Sequence, residues 1–147
     1  MNPTPKNPDG TPRTGRRFLE LRQPKTLIDA TRLVDRFLQN RLPTGVDRVS
    51  LQYLQHFLGR AHALVRFAGR WIELGQLASR RVFEALLDGS GDGRSTVRRC
   101  VVQAYACSWR QHHRGVLFNT GHSGLDHPNY GAEVARRSLK PIFFLHD

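Results

Sequence analysis

Hydrophobic and polar positions divide the chain into short apolar runs alternating with helically spaced stripes. Thr26 to Thr31 (TLIDAT) is short, apolar and rich in strand formers, which predicts a first strand. Leu33 to Leu42 predicts a short helix or an ordered loop, broken by Pro43-Thr44-Gly45. Val46, Val49, Tyr53, Leu54, Phe57 and Leu58 then recur on one helical face, and Gly59 is placed to end that helix. Ala63 to Phe67 and Trp71 to Leu74 read as strands joined by a turn at Ala68-Gly69-Arg70, a hairpin. Leu77 to Leu87 is a second amphipathic helix, followed by a surface loop from Asp88 to Gly93. Ser95 is the expected N-cap of a third helix reaching about Arg110, with Val97, Val101, Ala104 and Tyr105 inward. Gly115 to Asn119 (GVLFN) is a strand of buried type, and Thr120 to His127 (TGHSGLDH) a polar loop. Pro128 suits the first turn of a fourth helix ending at Ser138. Pro141 to Leu145 is a last strand, too apolar for a solvated edge and expected to be covered on both faces.

This alternation predicts an α/β fold, Rossmann-like, with a mostly parallel sheet flanked by helices. Ligands of such sheets bind beyond the carboxyl ends of the strands. The loops to inspect therefore follow the first strand, the GVLFN strand and the IFFL strand. Residues 1–24 read instead as a disordered, basic, proline-rich tail, because they hold few apolar side chains to offset the entropy of ordering. The folded domain is expected over 25–147.

Composition narrows the classes. The chain has 147 residues, 39% of them hydrophobic. No apolar run approaches the roughly 20 residues needed to span a bilayer, and no apolar segment follows the basic N-terminus as a secretory signal requires. A cytoplasmic protein is expected, at most peripheral at the inner membrane face. The net charge of +11 attracts polyanions, although an arginine-rich composition alone accounts equally well for it. Arg80-Arg81, Arg98-Arg99 and Arg136-Arg137 read as solvated helix faces. With no helix-turn-helix or RNA-binding signature, nucleic acid is not the expected partner. Cys100 and Cys107, about 10 Å apart along one helix, lie too far apart for a disulfide.

The first loop ends in Pro43-Thr44-Gly45-Val46-Asp47-Arg48. Gly45 would let backbone approach a ligand, the helix start would offer N–H groups to a phosphate, and Arg48 a bidentate contact. A plain helix start capped by Thr44 or Asp47 explains the same residues. In the second loop, His122 and Asp126 sit among glycines and hydroxyls that suit sugar binding, while Asp126 equally suits a cap for the following helix. His146, at the end of the last strand, can hold a ligand or move a proton. No G-x-G-x-x-G fingerprint is present and no cofactor is expected. His112, His113, Cys107, His122 and His127 match no common zinc spacing, so no metal is expected either.

In their order and context, PTGVDRV, NTGHSGLD and FFLHD resemble bacterial retaining glycosyltransferases of family 4, or group 1, over roughly residues 25–147. The resemblance implies the N-terminal, acceptor-side domain of a GT-B fold, whose second domain binds the nucleotide-sugar. It implies transfer of a hexose from a nucleotide-sugar donor to a carbohydrate or lipid-linked acceptor. An anionic membrane surface is a further expected partner. Gly45 would then lie near the donor diphosphate or the transferred sugar, with Asp47 and Arg48 shaping that loop. His122 and Asp126 would line the acceptor side, and His146 would be the catalytic histidine beside the transferred sugar. The donor-binding domain is expected to lie outside this chain, which would make the chain inactive alone. A basic nucleic-acid-binding protein and a non-catalytic remnant of the fold are the alternatives.

Overall fold

A computed structural model describes residues 24–108 and 114–144. The expected tail over 1–24 falls outside this range except for Pro24. The elements run β1 (Thr26–Asp29), α1 (Thr31–Leu38), α2 (Gly45–His56), β2 (His62–Phe67), β3 (Arg70–Glu73), α3 (Gln76–Asp88), a 3-10 turn (Gly91–Gly93), α4 (Arg94–Ala106), β4 (Gly115–Asn119), α5 (Tyr130–Arg136) and β5 (Leu139–Phe143). The strands form one five-stranded sheet in the order β3-β2-β1-β4-β5. β1 pairs in parallel with β2 and β4, and β4 with β5, while β3 returns antiparallel to β2. The fold is therefore α/β with a mostly parallel sheet flanked by helices, as the alternation of elements implies.

Side-chain alternation along the strands separates two cores. Ile28, Ala63, Val65 and Ile72 point to one face, where Val34, Leu54, Val82, Phe83, Val97 and Val101 from α1 to α4 bury against them. Leu27, Leu64, Trp71, Leu117 and Leu139 point to the other, against Tyr130 and Val134 of α5. Four helices thus lie on one face and a single short helix on the second.

The hairpin between β2 and β3 closes through Ala68 and Gly69, both with positive φ (47° and 72°). This is the turn geometry whose twist matches two antiparallel strands. It sets Arg66 directly opposite Trp71.

Several local expectations are corrected. Ser95 lies inside α4, which starts at Arg94 with Gly93 at the cap, and α4 ends at Ala106; residues 109–113 lie outside the described range. Pro128 precedes α5, whose cap is Asn129, so Asp126 does not cap it. β5 is an edge strand: Leu139 is buried, but Ile142 and Phe143 are 40% and 42% exposed. Its apolar composition misled because neighbouring cover, not the run itself, decides burial. The apolar stripe of α2 is half-buried except for Leu54, while the polar Asp47 and Ser50 are fully buried. Cys100 and Cys107 are free thiols, as their spacing implies.

Candidate functional site

The chain leaves β1 through α1 and α2 on one face and leaves β4 through α5 on the other. That reversal opens a crevice beyond the carboxyl ends of β1 and β4, the place where open α/β sheets bind ligands. The loops after β1 and β4 converge there, and Phe144 at the end of β5 meets the second of them.

The first loop is locked from within. Thr44 donates to the Asp47 carboxylate through its N–H (2.7 Å) and its hydroxyl (2.6 Å). Arg32 Nε adds a hydrogen bond at 2.8 Å, and Arg36 Nε an ion pair at 3.0 Å. Asp47 is 1% exposed. Burial alone would raise its pKa, but the hydrogen bonds from Thr44 and Arg32 outweigh burial and hold it below the usual carboxylate range. Asp47 is therefore the N3 partner of the N-cap Thr44 in a capping box and anchors the start of α2. Gly45 is exposed at the first position of α2, with open space where a side chain would stand. Arg48 is exposed one turn further on.

The second loop is tied to the first. Thr120 donates to the Ser50 hydroxyl at 2.7 Å, and Ser50 to the Val46 carbonyl at 3.1 Å. The Arg32 side chain runs against Gly121. Asn119, fully buried at the end of β4, donates from its amide to the Ser123 carbonyl (3.0 Å) and to Tyr130 Oη (2.9 Å). His122 takes a left-handed φ of 55°, and its ring is hydrogen-bonded to the Phe144 carbonyl. That contact joins the second loop to Phe144 at the end of β5, and Tyr53 of α2 lies against the Phe144 ring at 4.5 Å. Asp126 is exposed in the same loop. His146 lies outside the described residues.

The centre of the edge is a buried pair that the loop motifs do not include. Asp29, at the end of β1, accepts from the Thr31 N–H at 3.0 Å and pairs with Arg66 of β2 at 3.2 Å. Its side chain is wholly buried, and burial pushes its pKa up against the opposing charge of Arg66. Arg66 also bonds the Ser123 hydroxyl and lies over the Trp71 and Tyr130 rings, at 5.7 and 5.6 Å to the centroids. A cavity of about 330 Å³ opens beside it, lined by Arg66, Trp71, Tyr130, His127, Asn129 and Glu133 with the Gly69 turn. Its signal in the sequence is a charge closing an otherwise apolar run, in TLID and again in ALVRF.

Among the described residues no group of three or more His, Cys, Asp or Glu side chains could hold a metal, and no helix is long and apolar enough to cross a membrane. Fold and site define an α/β protein of Rossmann-like type with a polar, buttressed ligand edge. The chain matches no protein-family model, no curated protein and no solved structure.

Proposed function

We propose that this chain is the acceptor-side domain of a retaining GT-B glycosyltransferase, binding a carbohydrate or lipid-linked acceptor at the carboxyl edge of its sheet. The observation that carries the reading is the meeting of the loops after β1 and β4, tied together by the buried Thr120–Ser50 contact, beside a cavity lined by Arg66, His127 and Asn129. Such an edge is pre-organised for a ligand rich in hydroxyl groups, because its own polar groups are ordered before binding. The order of PTGVDRV, NTGHSGLD and FFLHD along the chain supports the choice of chemistry. In this reading His146 contacts the transferred sugar, and His122 and Asp126 face the acceptor. Gly45 and Arg48 border the donor, while Asp47 acts by holding their loop. Transfer requires a second domain to bind the nucleotide-sugar, since catalysis needs groups fixed on both sides of the reacting centre.

Saturation-transfer-difference NMR with a panel of mono- and oligosaccharides, nucleotide-sugars and short DNA tests the reading. Saccharide signals stronger than those of the nucleotide-sugars are expected. No saccharide signal, together with DNA binding that falls steeply with salt, would make the chain a basic nucleic-acid binder instead.

A further inference from the structure

Proposed function leaves the acceptor's chemistry open, and the cavity beside the β2–β3 hairpin narrows it. Its volume of about 330 Å³ falls in the range of small-ligand pockets. Arg66 is its cation. One edge of the guanidinium is spent: Nη2 meets Asp29 at 3.2 Å and the Ser123 hydroxyl, and Nε is 3.4 Å from the Thr31 hydroxyl. Nη1 forms no hydrogen bond with the described residues and lies against Gly124, where a Cβ would stand 1.4 Å from it. Gly124, with φ of 74°, thus leaves room for Nη1 itself.

The group is also held rigid. Trp71 and Tyr130, 5.2 Å apart, both lie against it, and Arg137 lies over Trp71 at 5.2 Å. A planar guanidinium clamped by two rings and a buried carboxylate loses little entropy when it takes a second anion. Glu133, the acid on the cavity wall, is already engaged by Arg136 at 2.9 Å and by Arg137. The exposed His127 and Asn129 complete the rim with groups that bond hydroxyls.

We propose that this cavity binds a sugar bearing an anionic group, a phosphate or a carboxylate, with Nη1 of Arg66 meeting the anion and Asn129 and His127 meeting the ring hydroxyls. The proposal rests on the acceptor-domain reading and specifies its substrate class.

The chain contains two tryptophans, so a Trp109→Phe version makes Trp71 the single fluorescent reporter inside the cavity. Glucose 6-phosphate, glucuronic acid, glucose and inorganic phosphate are titrated against it at fixed ionic strength. Both anionic sugars are expected to change Trp71 emission and to bind at least about ten-fold more tightly than glucose, the scale of one charge-assisted hydrogen bond. Arg66→Lys, which keeps a charge opposite Asp29 but loses the Nη1 donor, is expected to abolish that preference. Asn129→Ala, at an exposed position, is expected to weaken both anionic sugars about three-fold or more; this arm stands even if the lysine variant fails to fold. Equal binding of glucose overturns the proposal, as does inorganic phosphate binding as tightly as glucose 6-phosphate. Saccharide binding seen by NMR without any Trp71 response overturns it while leaving the acceptor-domain reading intact. Absence of all saccharide binding overturns both.

Discussion

Replacing Asp47 by alanine tests whether this residue is structural or ligand-binding. The substitution removes an acceptor that takes two hydrogen bonds from Thr44, one from Arg32 and an ion pair from Arg36. Loss of a helix cap costs about 1 kcal/mol. Charge-assisted bonds contribute about 1.5–3 kcal/mol each when shielded. Arg32 and Arg36 are 40% and 23% exposed, however, so water re-solvates them and recovers most of that energy. A net loss of about 2–3 kcal/mol follows, or a fall in Tm of about 6–12 °C for a domain of this size. Asp47→Asn keeps an oxygen for Thr44 but not the charge, and should lose about half as much. Urea unfolding followed by circular dichroism at neutral pH gives both numbers. A change below about 0.5 kcal/mol in the alanine variant, the range of an ordinary surface substitution, refutes the anchoring role.

Asp29 and Asp47 should respond to pH with opposite signs. The raised pKa of Asp29 means its contribution is full below the unfolded value of about 3.9 and is lost as pH rises through its folded pKa. The lowered pKa of Asp47 gives stability that is full above the unfolded value and lost as pH falls through its folded pKa. The stability of the wild type relative to Asp29→Asn should therefore fall as pH rises above the unfolded value of about 3.9, and a flat difference contradicts the burial argument. Gly124→Ala combines a left-handed φ with an overlap on Arg66 and should destabilise by about 2 kcal/mol or more, whereas Gly45→Ala meets open space and should be neutral or stabilising by up to about 1 kcal/mol; equal effects in thermal melts would contradict this geometry. Ala68→Asn relieves a positive φ in the hairpin turn and should raise stability by about 0.5–1 kcal/mol in the same assay.

The order of strands and helices was legible because each strand is a short apolar run bounded by turn residues. The hairpin is the clearest case, with Ala68-Gly69 between two such runs. That the loops after β1 and β4 share one edge also followed from the parallel-sheet reading, and His122 meeting Phe144 ties the end of β5 to it. Cover was not legible. Ile142 and Phe143 look like interior residues, yet they lie on an edge strand because burial depends on what packs alongside. The face of α2 was mistaken for a related reason: Asp47 and Ser50 are buried by partners fifteen or more positions away, Arg32 in α1 and Thr120 after β4. The Asp29–Arg66 pair, 37 residues apart in the numbering, depends on the same kind of distant partnership and became apparent only when β1 and β2 were aligned.

Amide chemical-shift mapping on the chain with a saturating saccharide tests the central claim most directly. Shifts are expected only at the carboxyl edge, at Asp29, Arg66, Gly69 and the segment from Asn119 to Tyr130, with the outer faces of α3 and α4 unmoved. Shifts clustered on α3 and α4, or none at the edge under conditions where the saccharide binds, would contradict it.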